Sequence, residues 1–331
     1  MRRFFKFLLI IVIALVLFLS LLSFRVVPEN IVYGVSFSKF HSDELGLPWK
    51  TVYLALLDDL KVRNFRLSAH WPGTEPKEGM YDFSVLDFQM QQAKLRDAGV
   101  IFAVGERLPG WPECHVPDWA SKLDTATRQE KIFDYITTVV NRYKNYPNIT
   151  YWQVENEPFL SVFARQTCEP LDTAFFGKEI ALVKKLDPAR QVLVTDSGEL
   201  GVWYGAHKAG DVFGSSLYLY VDSPIFGKIR YPITPAYYRI RENVADIIAG
   251  KKKDILSELG LEPWLLHPIV DTSISDQLSR MDINKFNTII SFAKTTGFGE
   301  QYLWGAEWWY YMKQNGHPEF WDGAKEVFTG K

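Results

Sequence analysis

Past the first two dozen residues, apolar positions follow two alternating rhythms. Eight short runs carry β-branched and aromatic residues, continuously or at every second position. They are 31–37 (I-V-Y-G-V-S-F), 64–68 (N-F-R-L-S), 100–104 (V-I-F-A-V), a run opening at Ile149 and stopped by Pro158, 191–195 (Q-V-L-V-T), 211–219, 254–259 (D-I-L-S-E-L) and 302–306 (Y-L-W-G-A). Between them, apolar residues recur at helical spacing over 47–62, 84–98, 125–144, 173–186, 200–208, 235–249, 275–296 and 319–327. Pro48 opens the first helix and Gly99 stops the second, while Asp172 caps the fourth and Asp187-Pro188 ends it. Strand and helix alternating at this period predict a parallel sheet, and eight units fit a (β/α)8 TIM barrel of the usual ~250 residues. An open doubly wound sheet is the alternative, but no Gly-x-Gly-x-x-Gly follows the first strand. No linker or repeat divides residues 26–331, which read as one α/β domain.

The N-terminal segment has a different pattern. Arg2, Arg3 and Lys6 precede an uncharged apolar run from Phe7 to Phe24. At about 18 residues the run reaches the lower limit for a bilayer span. The basic flank would stay inside, which puts the remainder outside the cytoplasm. Residues 1–25 are therefore expected to be a transmembrane anchor; a cleaved signal peptide, giving a secreted protein, is the competing reading.

Composition narrows the rest. Hydrophobic residues make up 47% and charged residues 23% of the 331, ordinary for a globular enzyme. The net charge of −2 gives no reason to expect a nucleic-acid partner. Aromatic residues are abundant, with 11 Trp; such rings stack on sugars but also fill cores. The two cysteines, Cys114 and Cys168, fall in loops expected on one face of the barrel, where they could pair or remain free thiols. No Cys-x-x-Cys or His-x-His spacing suggests a metal.

On such a barrel the chemistry belongs to residues at the C-terminal ends of strands. The fourth strand turns from I-T-Y-W to Glu155-Asn156-Glu157, and the seventh ends at Glu258. Carboxylates at buried strand ends are costly unless partnered. Two that face each other across the mouth are what glycosidic bond cleavage requires: one neutral to protonate the leaving oxygen, one anionic to meet the cation-like carbon. Arg66 and Tyr218 would hold Glu258 ionised, and Glu157, facing that anion, would be shifted up.

These residues also carry a resemblance. W-Q-V-E-N-E-P at 152–158, S-E-L-G at 257–260, Arg66 on the second strand and Trp304 on the eighth resemble the clan A glycoside hydrolases. The segment 65–87, F-R-L-S-A-H-W-P-G-T-E-P-K-E-G-M-Y-D-F-S-V-L-D, is similar to the second-strand region of families 5, 39 and 42 of that clan. The resemblance implies that Glu157 is the acid/base and Glu258 the nucleophile of a retaining glycosidase, with carboxyls roughly 5 Å apart. It also implies that Asn156 binds the sugar 2-hydroxyl, Tyr218 contacts the nucleophile and Trp304 floors the reacting sugar's subsite. Ser216 departs from the pattern, since many relatives carry His there.

Structural readings stand beside these. Arg66 could pair with Glu155, which strand alternation puts on the same side as Glu157. Glu258 could pair with Lys252 or Lys253, and Trp304 could plug the barrel. His70, Trp71 and His115 are candidates for lining the pocket; Trp111, Trp119, Trp308 and Trp309 suit packing at least as well. The expectation is a glycosidase acting on a β-linked oligo- or polysaccharide without a cofactor or metal. A silent sugar-binding barrel and a transglycosylase are the alternatives.

Overall fold

The computed structural model describes residues 2–110, 112–160, 162, 167–170 and 172–330, with backbone alone at 2, 3, 11, 12, 15 and 16. Trp111 lies outside the described residues. Ten strands occur among them: β1 (Val32–Phe37), β2 (Asn64–Ser68), β3 (Gly99–Val104), β4 (Ile149–Val154), β5 (Gln191–Asp196), β6 (Val212–Leu217), β7 (Tyr220–Ser223), β8 (Gly227–Arg230), β9 (Lys253–Gly260) and β10 (Glu300–Trp304). Eight of them close a barrel in the order β1-β10-β9-β6-β5-β4-β3-β2, every neighbour parallel. The expected eight-stranded barrel is therefore present. The remaining two, β7 and β8, form an antiparallel hairpin after β6 that the strand pattern did not predict.

The barrel has two apolar layers. Inside, Ile101, Tyr151, Leu193, Val212, Ile255 and Tyr302 fill the lower part. Outside, residues such as Phe65, Phe102, Trp152 and Val194 pack against the helices. The short parallel strands are buried on both faces, which explains their near-continuous hydrophobic sequence. Helix starts follow local chemistry: Asp124 accepts from the Thr127 N–H, and Asp172 from those of Ala174 and Phe175. The helical stretch expected over 275–296 is two helices, Ile274–Arg280 and Ile283–Ala293. Met281 is extended between them, and Asp282 caps the second by accepting from Lys285 N–H. A further helix, Ala306–Gln314, follows β10 directly and buries Trp308 and Trp309 in the core, which settles both as packing residues.

The N-terminal segment forms a helix, Arg2–Leu22. Among the described residues no helix is long and apolar enough to cross a membrane, so the expected anchor has no support from the structure. Immediately after the helix, Arg25 is bound at the floor of the barrel. Its guanidinium meets Glu242 at 2.6 Å, Asp246 at 3.2 Å and Asp254, beside the first residue of β9. The helix therefore joins the molecule at the end opposite the strand C-termini.

Candidate functional site

The site is built where β4 stops. Glu155 (φ 56°) and Glu157 (φ 44°) both adopt left-handed backbone, uncommon for residues other than glycine. That breaks the pleat after Val154, so the two carboxylates do not share a side as alternation predicted. Glu155 turns away from the mouth and accepts the backbone N–H groups of Glu106 (2.8 Å) and Arg107 (2.6 Å). Gly105 makes room for it, because a Cβ there would lie 2.1 Å from Glu155 Oε1. Burial raises the Glu155 carboxyl to about 7, and the adjoining Glu179 carboxyl, buried and hydrogen-bonded to it, is raised well above the usual range. The proposed Arg66–Glu155 pair is absent.

Arg66 instead occupies the mouth, fully buried, and serves three side chains. Its Nη1 donates to Glu258 Oε1 at 2.5 Å, its Nη2 to Asn156 Oδ1 at 2.7 Å and its Nε to Gln153 Oε1 at 2.7 Å. Tyr218 Oη donates to the other Glu258 oxygen at 2.8 Å. Both oxygens of Glu258 thus receive donors, one of them a permanent cation. Lys252 and Lys253 are elsewhere: Lys252 donates to the His207 and Gly210 carbonyls, and Lys253 pairs with Glu300 at 2.7 Å.

Glu157 has the opposite surroundings. Its backbone N–H donates to Thr195 Oγ1 at 2.9 Å, which fixes the end of β4 against β5. Burial, the charge of Glu258 and the charge of Glu113 raise its carboxyl well above the usual range, opposed by a hydrogen bond with Ser216. Ser216 thus faces the upshifted acid. One carboxyl thus sits on a cation and the other among carboxylates, surroundings of opposite charge.

Asn156 is held by its amide oxygen, which accepts from Arg66, from Thr195 Oγ1 at 3.2 Å and from Gln153 Nε2 at 3.3 Å. Its Nδ2 donates to Glu113 Oε2 at 3.3 Å. Glu113 is a third carboxylate in the mouth. Burial raises it to about 7, against the nearby Arg107, whose Nε is 3.6 Å away. Reading strand ends alone missed it, because it sits in the loop after β3; the signal was an acid flanked by Pro112 and Cys114. Cys114 and Cys168 are disulfide-bonded, Cα atoms 5.3 Å apart, tying that loop to the one after β4.

The other candidates divide. Trp304 is half-buried at the end of β10; its Nε1 donates to Glu262 Oε1 at 2.7 Å, and the His41 ring lies nearly parallel to it. The His70 and His115 rings are tilted at 44° with centres 4.2 Å apart, their Nε2 atoms against the Pro109 and Gly110 carbonyls. Burial and the neighbouring His115 depress His70 to about 3. Trp71 is a correction. It is wholly buried between Trp119 and Tyr135 and donates to Glu75 Oε2 at 2.7 Å, so it packs the core rather than lining the pocket. Trp119 serves the same core, donating to the Glu75 carbonyl at 3.0 Å. Among the described residues, no three of His, Cys, Asp and Glu are grouped to hold a metal ion.

Comparisons with known proteins agree with this architecture. The family model described as glycosyl hydrolases family 2, TIM barrel domain, matches residues 50–241, more than half of the chain. A family 5 mannosidase from Rhizomucor miehei superposes with a TM-score of 0.56 at 18% identity, covering 83% of this chain and 81% of that one. Endo-glycoceramidase II from Rhodococcus sp. superposes at 0.53 with 16% identity, covering 83% and 73%. A β-galactosidase from the psychrophilic Marinomonas ef1 superposes at 0.53 with 12% identity over 82% of this chain; the chain spans about half of that enzyme, 54%. At these identities the superpositions show the fold alone. The matched family model, together with the barrel, shows that the chain belongs to the family of glycosyl hydrolases family 2, TIM barrel domain, and is a clan A glycoside hydrolase.

Proposed function

We propose that the chain is a retaining glycosidase that cleaves a β-linked glycan or glycoside by double displacement. Glu157, protonated at rest, gives its proton to the leaving oxygen as the C1–O bond breaks. Glu258 attacks C1 and forms a glycosyl-enzyme. Glu157, now anionic, takes a proton from water, which attacks C1 and frees Glu258. Arg66 and Tyr218 orient Glu258, Asn156 hydrogen-bonds the sugar next to C1, and Trp304 stacks beneath the ring. The observation that carries this reading is the contrast between Glu258, held by Arg66 and Tyr218, and Glu157, raised by burial beside two carboxylates. The lactosyl-enzyme intermediate of the structurally similar endo-glycoceramidase is compatible with the covalent route.

The test is a panel of aryl β-glycosides and polysaccharides given to the wild type and to Glu258→Gln. The wild type is expected to hydrolyse at least one, and the variant to lose on the order of 10⁴-fold or more in kcat while keeping its melting temperature. Binding without hydrolysis by the wild type would favour the silent barrel. Sugar-to-sugar transfer products in excess of hydrolysis would make the protein a transglycosylase.

We also read residues 1–25 as a membrane anchor, with the catalytic domain outside the cytoplasm. The uncharged run from Phe7 to Phe24 behind Arg2, Arg3 and Lys6 supports it. With Arg25 fixed at the floor, an anchored barrel would turn its mouth away from the bilayer. The full chain should then sediment with membranes and resist alkaline carbonate, and a chain lacking residues 1–25 should not. Full-length protein recovered in the carbonate-soluble fraction would refute the anchor.

A further inference from the structure

The β7–β8 hairpin takes no part in the double displacement, yet one of its faces carries a concentrated set of charges. Its register puts Tyr220 opposite Arg230 and Asp222 opposite Lys228. Directly opposed residues, and residues two apart along a strand, point to the same side, so these four share a face. Together with Trp264, Arg280 and Lys285 they line a cavity of about 240 Å³. The cavity adjoins the mouth. The Trp264 ring meets Tyr218 edge-on at 4.9 Å, and Tyr218 Oη donates to Glu258 at 2.8 Å.

Four cations surround one carboxylate there, in a chain whose formal net charge is −2. Arg280 Nη1 donates to that carboxylate, Asp222 Oδ1, at 2.8 Å. The adjoining helix end gathers two lysines. Lys228 Nζ donates to Ser279 Oγ at 3.0 Å, and Lys285 Nζ to the carbonyls of Ser279 at 2.8 Å and Arg280 at 3.1 Å. Lys285 also has Asp282 at 3.6 Å. Neutral oxygens position an ammonium group without cancelling its charge. No ion pair joins Lys228 or Arg230 to a carboxylate among the described residues. Like charges held this close repel one another, and a bound anion relieves that repulsion.

The same cavity has aromatic walls. Tyr220 lies across the ladder from Arg230, and Lys285 Nζ stands 5.8 Å from the centre of its ring. Tyr220 and Trp264 offer flat apolar surface to the C–H face of a sugar. A guanidinium fork beside them matches the paired oxygens of a carboxylate or sulfate. Rings for the sugar and cations for its charge are thus built into one recess next to the nucleophile.

Resting on the glycosidase reading above, we propose that this cavity is a subsite for an anionic sugar and that the substrate is an acidic glycan. A carboxylate or sulfate ester, on a residue other than the one bonded to Glu258, lies against Arg230 and Lys228 with its ring on Tyr220 and Trp264. No bond changes in the subsite; it adds affinity and selects which chains reach the mouth.

The experiment titrates the full chain carrying Glu258→Gln, which binds without turnover, by calorimetry. Tetrasaccharides of hyaluronan and of poly-β-mannuronate, each beside its carboxyl-reduced form, test for a carboxylate. A keratan sulfate tetrasaccharide beside its desulfated form tests for a sulfate. At least one acidic chain is expected to bind about tenfold or more tightly than its neutral counterpart, the range of one charge-assisted hydrogen bond. That advantage should shrink as salt is added. Adding Arg230→Gln and Lys228→Gln, both on the exposed hairpin, should bring the two forms to within about twofold while the melting temperature holds. The arm that shows the advantage identifies the anion. Equal affinity for every acidic chain and its neutral form, no binding of any acidic chain, or an advantage that survives loss of both cations would overturn the subsite. None of these outcomes touches the glycosidase reading, which fails only if the wild type cuts nothing in the aryl and polysaccharide panel or if Glu258→Gln cuts unimpaired.

Discussion

Glu258 and Glu157 are the same side chain in one cavity, yet their neighbours are opposite in charge. Glu258 receives a guanidinium on one oxygen and a phenol on the other. Glu157 is raised by burial and by the charges of Glu258, Glu113 and Asp196, and opposed by a hydrogen bond with Ser216. Backbone geometry sets up this asymmetry. Arg66 points inward from the middle of a regular strand, whereas Glu157 sits on a left-handed turn after the ladder has ended. A rigid strand delivers the fixed positive charge, and a strained strand end places Glu157 among carboxylates.

That comparison can be broken from either side. The largest expected effect after loss of Glu258 is Glu157→Gln. Removing the acid should lower kcat by about 10³-fold for alkyl glycosides, within the usual range for general acid catalysis. Activated aryl glycosides should still form the glycosyl-enzyme, and azide, which needs no general base, should restore turnover to form a glycosyl azide. Product analysis by NMR checks this; a uniform loss for all leaving groups without azide rescue would deny Glu157 its role. Next is Tyr218→Phe, which removes a hydrogen bond to a charged oxygen. A loss of about 10- to 100-fold in kcat/KM is expected, matching the usual ~1.5–3 kcal/mol for such a bond. Kinetics on one aryl glycoside would show it.

The smallest effect sharpens the comparison most. Glu113→Gln takes one anion away from Glu157. The charge of Glu113 raises the Glu157 carboxyl, so its loss lowers it. Because Glu157 must be protonated to act, activity falls as pH rises through its pKa. The basic limb of the kcat/KM profile should therefore move to lower pH, while the acidic limb stays in place. A basic limb that does not move would mean that Glu113 exerts no field on the acid.

The contrast also shows what the sequence could and could not reveal. Eight apolar runs at barrel spacing made the closed sheet legible, because parallel strands buried on both faces leave continuous hydrophobic stretches. That Glu157, Glu258, Asn156, Tyr218 and Trp304 lie at or near strand ends, and Arg66 on a strand, was legible because a barrel collects its strand ends at one mouth. The hairpin β7–β8 was not, since a two-stranded ribbon in a loop leaves too short an alternation. Trp71 was misplaced because a Trp after a strand end looks the same whether it faces the mouth or the core; its burial came from Trp119 and Tyr135, distant in sequence. Glu113 was overlooked because its position depends on a loop folded back by a disulfide. The broken alternation at Glu155 needed the positive φ that only the three-dimensional structure displays.

The claim beneath all of this is that Glu258 becomes covalently attached to the sugar. Incubation with activated 2-deoxy-2-fluoro glycosides, gluco, manno and galacto, followed by peptide mass spectrometry, tests it most directly. One fluorosugar is expected on the peptide containing Glu258, with time-dependent inactivation and no label on Glu258→Gln. Label on Glu157 or Glu113 instead, or hydrolysis of the matching unsubstituted glycoside with inversion at C1, would contradict it.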